Sequence, residues 1–471
     1  MGRPGPVRPI PPGPGAVEPA RGRRMAGKRA RVTADLRPLQ TAPFRRLWAS
    51  TTVTAVASQL TAVAVPVQVY DLTGSSAYVG YASLAGLVPM VAAALWGGAV
   101  ADAVDRRRML LVTSSGIALT SALLWAQAAA GLESVAVLLV LIAVQQALFG
   151  ANSAVSGAVT PRLITADLLP AANALQSSVM WFGGIAGPLL AGALIPLTGL
   201  GTLYLVDAIA LCLTVWAVWR LPPLPPAPSQ DGVPGTPGGA SVVRRIGAGL
   251  VHLTRHRILL AAYLADFIAL FLGMPAALFP QIAHETFGDP PGGGFAIGVL
   301  YAAMSVGALA VGLCSGLLTR TRRHGAMVVA AVCAWGLAIA AFGLAERLWT
   351  AAFFLALSGS ALMVLGMFRK TILQTAAVDG MRGRLQGVDT VVAAGGPRLA
   401  GLVHGTAGAA VGATWAVTGG GILVVVTMLA VALTFPSFRR YRGPEASEDA
   451  ATAIAPASDS PARVPPRADA D

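Results

Sequence analysis

The sequence predicts an all-α integral membrane protein whose twelve transmembrane helices form two parallel six-helix repeats. Of its 471 residues, 55% are hydrophobic and only 12% are charged, and the mean hydropathy is +0.67. Soluble domains carry about 25% charged residues, so this composition excludes an ordinary water-soluble globule. Two further observations support the prediction: apolar runs of membrane-spanning length, and matching motifs in the two parts of the chain.

The apolar runs place the helices along the chain. A hydrocarbon core of about 30 Å requires roughly 20 apolar residues in a helix. The first six spans are predicted at 46–70, 77–101, 109–131, 134–160, 170–196 and 201–220. The second six are predicted at 258–283, 295–319, 326–345, 349–373, 384–411 and 413–435.

Composition divides the chain into five segments. Residues 1–42 are predicted to be a disordered, basic N-terminus and residues 437–471 a disordered tail, because both are polar or Pro-rich and lack apolar runs. The Pro- and Gly-rich stretch 221–250 is predicted to be a linker. It separates a first six-helix half at 43–220 from a second at 251–436.

The basic residues lie on one side of the predicted topology. They occupy alternate connections, among them Arg45 and Arg46, Arg106 to Arg108, Arg244 and Arg245, and Arg439 and Arg440. The opposite connections hold Asp71, Glu133, Glu285, Asp289 and Glu346, with Arg347 as their only basic residue. Loops rich in Arg and Lys face the cytoplasm, so both termini of this multi-pass cell-membrane protein are predicted to be cytoplasmic. The net charge of +13 then reflects orientation and contact with the lipid bilayer, and we expect no nucleic-acid partner.

Three motifs recur about half a chain apart and in the same order. Val65-Pro66-Val67-Gln68 corresponds to Phe279-Pro280-Gln281, and Val79-Gly80 corresponds to Ile297-Gly298. The third match joins Gly187-Pro188-Leu189-Leu190-Ala191-Gly192 to Gly396-Pro397-Arg398-Leu399-Ala400-Gly401. These matches predict a duplicated six-helix unit, and because six is even the two units share one orientation, which makes a parallel repeat.

A short charged hairpin joins spans two and three. It runs Gly98-Ala99-Val100-Ala101-Asp102-Ala103-Val104-Asp105-Arg106-Arg107-Arg108. With the two six-helix halves and the central linker, it resembles the major facilitator superfamily, whose loop motif is roughly Gly-x-x-x-Asp-Arg-x-Gly-Arg-Arg. Here Ala103 and Asp105 replace the usual Arg and Gly.

Further stretches resemble the drug and siderophore exporter branch of that superfamily, macrolide and enterobactin exporters among them. They are Phe44-Arg45-Arg46-Leu47, Val63 to Gln68, Leu300-Tyr301-Ala302-Ala303 and Gly383-Arg384. In the superfamily the motif aspartate caps span eleven and pairs with arginines, which latches the halves together in the outward-facing state. The resemblance implies a gating latch of Gly98, Asp102, Arg106, Arg107 and Arg162; the alternative is that these arginines only anchor topology.

Three acids fall inside predicted spans: Asp207, Asp266 and Asp389. A charge at the bilayer centre costs roughly 2.5–3.5 kcal/mol unless it faces water or a partner. Asp266 lies in span seven, which the resemblance places at the central cavity, so it is predicted to bind a proton or substrate; the alternative is an acid that holds helices together. Asp207, in a peripheral span, is predicted to be structural, and Asp389 to be structural or gating. Gly273 and Pro275 predict a bend in span seven.

Arg398 is interpreted as the only arginine deep inside a span. It lies nine residues from Asp389, which puts the two on opposite faces of one helix. Another acid such as Asp266, an anionic substrate, or carbonyl groups near Pro397 could satisfy it. His404, in the same span, is predicted to pack between helices.

Scattered amides on helices expected to line the cavity complete the predicted substrate site. The predicted substrate and proton residues are Asp266, Arg398, Gln68, Asn152 and Gln374. A mostly apolar pocket with a few polar groups suits an amphiphilic small molecule. Two Gly-Pro segments are predicted to form kinks and close helix seams, at Gly187, Pro188, Gly192, Gly396, Pro397 and Gly401.

The sequence contains no Gly-x-x-x-x-Gly-Lys-[Ser/Thr] loop, so it is not expected to use ATP. The resemblance implies a secondary active exporter of a siderophore or antibiotic-like compound, working by alternating access and proton antiport. An importer or uniporter on the same fold and a non-transporting membrane sensor are the alternatives. We expect a monomer with no catalytic residues, no cofactor and no metal, whose partners are the substrate, the proton and the bilayer.

Overall fold

The computed structural model describes residues 35–157, 159–223, 247, 253, 256–318, 321–376 and 382–442. Within these ranges the side chains of 98, 99, 101–103, 317, 376, 382–388, 390, 391 and 394 are not described. Most of the predicted N-terminus, linker and tail lies outside the described residues. Every contact described below lies among the described residues from Leu36 onward.

Twelve long helices run through the described residues, and no strand occurs among them. The first six are α1 (Ala42–Thr73), α2 (Ser76–Ala103), α3 (Arg106–Ala129), α4 (Val135–Ser156), α5 (Leu169–Thr198) and α6 (Leu200–Trp219). The last six are α7 (Arg257–Leu272), α8 (Phe295–Leu313), α9 (His324–Gly343), α10 (Leu348–Ala376), α11 (Arg382–Val411) and α12 (Ala413–Thr434). Short helices lie at Arg37–Gln40, Thr160–Leu163, Ala166–Leu168, Ala276–Leu278, Phe279–Glu285, Ser315–Leu318 and Pro436–Arg439.

Eleven helical segments of the described chain are long and apolar enough to cross a membrane. The remaining long helix is α11, which has 30 residues but contains Asp389, Arg398 and His404. The all-α membrane fold predicted from the sequence is confirmed.

The predicted bend in span seven is a complete break in the helix. α7 ends at Leu272, and two short helices, Ala276–Leu278 and Phe279–Glu285, continue the span. Pro275 has no backbone N–H and cannot continue the hydrogen-bond ladder. Gly273 lies against the indole of buried Trp335, where a Cβ would collide with the ring nitrogen.

Side-chain caps fix where several helices begin. The Asp105 carboxylate accepts hydrogen bonds from the backbone N–H groups of Arg107 (2.8 Å) and Arg108 (3.4 Å) at the start of α3. The Asp289 carboxylate does the same for Ala296 (3.1 Å) and Ile297 (2.9 Å) at the start of α8. Such caps satisfy N–H groups that have no partner inside the helix.

Two glycine contacts join the first six helices to the last six. A Cβ added at Gly80 of α2 would lie 2.7 Å from the carbonyl oxygen of Gly401 in α11. A Cβ added at Gly192 of α5 would lie 2.9 Å from the Cα of Gly298 in α8. Gly80 and Gly298, and likewise Gly192 and Gly401, are the glycines matched between the two halves of the sequence. The α2–α11 seam and the α5–α8 seam are therefore made from equivalent positions of the repeat.

Candidate functional site

A cavity of about 790 Å³ lies among the first six helices. One end of the helix bundle, where α1 begins, is here termed the near end; the far end is where α1 ends and α2 begins. The cavity reaches the near end at Phe44 and Val218 and extends inward to Pro66 and Val79. Its volume lies in the range of pockets that hold small organic ligands, about 300–1,000 Å³.

The cavity wall is mostly apolar and carries separated polar groups. The uncharged polar side chains include Gln59, Gln145, Gln146, Asn152, Gln176, Thr51 and Thr214. Among the described residues that line it, Asp207 and Arg398 are the charged ones. Arg398 is also the one lining residue from the last six helices.

Arg398 extends from α11 to the wall formed by α4. Its Nη2 donates a hydrogen bond to Oε1 of Gln146, with 2.9 Å between the two atoms. Asn152, six residues further along α4, donates from Nδ2 to the hydroxyls of Thr113 (2.8 Å) and Ser114 (3.0 Å) of α3. Both predicted residues thus lie at the cavity, held by partners on α3 and α4.

Asp207 lies at the inner part of the cavity although the sequence interpretation placed it in a peripheral helix. Its Oδ2 accepts hydrogen bonds from the hydroxyls of Thr61 in α1 and Ser121 in α3, each at 2.9 Å. Nε2 of Gln145 in α4 donates to the same Ser121 hydroxyl at 2.9 Å. Four helices therefore meet at this carboxylate through uncharged groups.

Three predicted substrate or proton residues are not among the cavity-lining residues. Gln68 is buried, and its Oε1 accepts from Nε2 of Gln127 (3.1 Å) and from the hydroxyl of Tyr204 (2.8 Å). Gln374 belongs to α10. Asp266 pairs with Arg369, with 3.2 Å between Oδ1 and Nε.

Arg369 is a functional candidate that the sequence interpretation missed. It lies in α10, pairs with Asp266 of α7 and Asp389 of α11, and has Tyr263 as an aromatic neighbour at 5.9 Å from its Cζ. Arg398 is therefore not the only arginine inside a span. The signal in the sequence was the presence of two acids inside predicted spans, Asp266 and Asp389, which require a cation, a proton or contact with water.

The predicted latch lies largely outside the described side chains. Gly98 and Asp102 fall in the last turns of α2, where side chains are not described. Arg107 donates through Nη2 to the backbone carbonyl of Trp219 at the end of α6. Arg106 begins α3, and Arg162 lies in the short helix Thr160–Leu163. The latch stays a prediction.

The Gly-Pro segments lie inside α5 and α11 at close helix contacts. Gly187 packs on α1, where a Cβ would lie 2.8 Å from the Val56 carbonyl oxygen. Gly396 packs on α7, with Leu270 Cβ at 2.9 Å from a Cβ built on the glycine. Pro188 and Pro397 are helix-interior prolines, next to Gly187 and Gly396.

The far end is closed by contacts between the first and last six helices. The hydroxyl of Tyr70 donates to Oε1 of Glu285 at 2.9 Å, and the backbone N–H of Gly292 donates to Oδ2 of Asp71 at 2.7 Å. The hydroxyl of Ser76 donates to the carbonyl oxygen of Gly405 at 2.9 Å. The space left between Tyr70, Asp71 and the facing segment is only about 10 Å³, room for about one water molecule.

Comparison with known proteins agrees with this geometry. Residues 33–452 match the family model described as transmembrane secretion effector. The chain is 27% identical to the enterobactin exporter of Citrobacter koseri, over 88% of this chain and 98% of that protein. It is 28% identical to the enterobactin exporter of Shigella boydii serotype 18, over 87% of this chain and 95% of that protein.

Among solved structures, the nucleoside transporter NupG has the same fold. It superposes with a TM-score of 0.63 at 15% identity, over 85% of this chain and 100% of that one. A family model that covers nearly the whole described chain, together with this fold, places the protein among membrane transporters rather than enzymes. The chain therefore belongs to the transmembrane secretion effector family of the major facilitator superfamily.

Proposed function

We propose that this secondary transporter exports an amphiphilic, anionic small molecule by alternating access and proton antiport. The observation that carries the proposal is Arg398, the basic side chain among the described residues of a mostly apolar cavity. A guanidinium group in such surroundings binds carboxylate or catecholate oxygens through charge-assisted hydrogen bonds. The relatives' names give enterobactin as their exported compound, and we propose a siderophore of that class as the substrate.

The near end is proposed to face the cytoplasm. Basic residues of the near end include Arg45, Arg46, Arg106, Arg107, Arg439 and Arg440, whereas the far-end connections hold Asp71, Glu133, Glu285, Asp289 and Glu346. Positively charged loops favour the cytoplasmic side. With this orientation the cavity opens to the cytoplasm while the outer side is sealed, which is the state that loads an exported substrate.

Export against a gradient requires an energy source. One proton that crosses 100 mV supplies about 2.3 kcal/mol, and this free energy supports roughly fifty-fold accumulation. The role of Asp266 as proton carrier stays a prediction. Because Asp266 already pairs with Arg369, another carboxylate, Asp207, is favoured as the proton-binding site. The transporter is proposed to act as a monomer, since cavity and seams form within one chain.

The test uses inside-out membrane vesicles that contain the protein, with an acid-inside pH gradient. Iron-free enterobactin should accumulate in the vesicles, and an uncoupler should abolish the accumulation. If a macrolide accumulates instead, the mechanism stands and the substrate assignment moves to drug efflux. Equilibration that continues unchanged after the gradient is collapsed would contradict antiport and indicate a uniporter.

A further inference from the structure

We propose that the Asp207 carboxylate is the site where the coupling proton binds and from which it is released into the cavity. This inference rests on the proton antiport proposed above and identifies the group that carries it. The proposed substrate, and the proposed role of Arg398 in binding it, are unchanged.

One carboxylate oxygen of Asp207 is buried without a hydrogen-bond partner among the described residues. Only 2% of the residue is exposed, and Oδ1 has no hydrogen-bond partner among the described residues. An unpaired polar atom in an apolar interior is unfavourable, and an ionised one is far more so. A proton on Oδ1 removes that charge.

Among the described residues, no cation forms an ion pair with Asp207 in this state. The groups that contact it, Thr61 and Ser121, and the next group out, Gln145, neither ionise nor carry charge. The charged residue that shares the cavity wall with it is Arg398, which donates to Gln146. Asp266, in contrast, already has the guanidinium of Arg369 as its partner.

The position of Asp207 along α6 suits proton exchange with both sides of the membrane. It lies seven residues after Leu200, where α6 begins at the far end. At about 1.5 Å per residue this is roughly 10 Å from that end. The cavity connects it to the near end in the present state, and opening of the far-end seal would expose it to the other side.

A hydrogen-bond chain links this carboxylate to the substrate wall. Gln145 lines the cavity and donates to Ser121, which in turn donates to Asp207. A substrate that engages the Gln145 amide withdraws that donor from Ser121 and changes the hydrogen bonding of Asp207. Substrate binding and proton release are thereby coupled: the proton leaves Oδ1 for cavity water, and the carboxylate retains the negative charge.

The test compares wild type with Asp207→Asn in proteoliposomes, using iron-free enterobactin and, separately, a macrolide as probes. Asparagine keeps an oxygen that accepts from Thr61 and Ser121 but cannot bind and release a proton. Gradient-driven accumulation should fall to a ratio of one, while gradient-free exchange of the same probe stays within about two-fold of wild type. Glu133→Gln, an exposed acid in the α3–α4 connection, is the matched control and should behave as wild type.

Full gradient-driven accumulation in Asp207→Asn would overturn the inference, as would loss of exchange together with accumulation. Two further results would also overturn it: loss of coupling in Asp266→Asn but not in Asp207→Asn, and a wild-type transport rate that requires sodium.

If wild type accumulates neither probe, the proposed function fails, and infrared difference spectra between acid and alkaline pH still test Asp207. The band of a protonated carboxyl should shrink in Asp207→Asn, and an unchanged band would contradict the inference.

Discussion

Arg369 connects three helices at one guanidinium group, because Asp266 of α7 and Asp389 of α11 both pair with it from α10. Buried ion pairs add little net stability, yet removal of one partner leaves an uncompensated charge. At Arg369 the loss of the cation would leave two carboxylates close together in an apolar setting. We therefore expect Arg369 to stabilise the packing of α7, α10 and α11 against one another.

We expect Arg369→Met to destabilise the protein by about 3–5 kcal/mol, the usual effect of breaking a buried pair. Thermal unfolding of the purified protein in detergent measures the change. Arg347→Met, at an exposed far-end position, should stay within about 0.5 kcal/mol of wild type. Equal melting temperatures for Arg369→Met and wild type would show that the pairing does not contribute.

Arg398 is expected to determine preference for anionic substrates. A hydrogen bond to a charged group contributes about 1.5–3 kcal/mol, so Arg398→Gln should weaken binding of iron-free enterobactin about ten-fold or more. Binding is measured by titration of the purified protein. A neutral ligand that enters the same cavity should bind the variant as it binds wild type. An equal loss for charged and neutral ligands would indicate a change in cavity shape instead.

At the scale of helices, contacts between glycine backbones determine how closely the first six helices approach the last six. The Gly80–Gly401 and Gly192–Gly298 contacts leave no space for a side chain at either seam. Small residues allow such approach in membrane proteins. The seams lie toward the far end, so a side chain added at a seam glycine separates the helices on the closed side of the molecule.

Gly80→Ala should push α2 away from α11 and open the far end. A cysteine introduced at Val67, which is 2% exposed behind the far-end seal, reports the opening in a background without Cys212, Cys314 and Cys333. A membrane-impermeant thiol reagent applied from the far side should label it several-fold faster. Gly366→Ala, whose Cβ would have nothing within 4 Å, is the control and should leave labelling unchanged.

At the scale of the whole molecule, in the alternating-access cycle proposed above, the far-end hydrogen bonds favour the state that is closed at the far end. Tyr70–Glu285, Asp71–Gly292 and Ser76–Gly405 all connect the first six helices to the last six. Each of them must break before the far end can open. Their strength is therefore expected to influence the population of the state that is closed at the far end.

Tyr70→Phe removes one of these bonds and keeps the ring. With a hydrogen bond to a charged group worth about 1.5 kcal/mol, the inward-to-outward ratio should fall about ten-fold. Distances between spin labels across the far end measure the two populations. Tyr78→Phe, at a ring that is 44% exposed, should leave them as in wild type, and an equal shift in both variants would contradict the assignment.

The sequence predicted the fold class because composition, span length and charge distribution are properties of single segments. Arg398 and Asn152, two of the residues predicted to bind substrate or proton, line the cavity, and their binding roles stay predictions. The sequence did not locate Asp207 there, since its partners Thr61 and Ser121 lie 146 and 86 residues away and only packing brings them together. Arg369 was missed for a similar reason: it lies near the end of its predicted span, and its two acids come from other helices.

The one-sided lining of the cavity has a consequence for evolution and engineering. Every described residue that lines the cavity comes from residues 44–218 except Arg398, which belongs to α11. A mutational library confined to the cavity-lining residues of the first half can therefore diversify specificity. It leaves unchanged the ion pairs that Arg369 makes with Asp266 and Asp389, and the seam glycines, which do not line the cavity. Divergence among homologues that handle different compounds should accumulate in that half first.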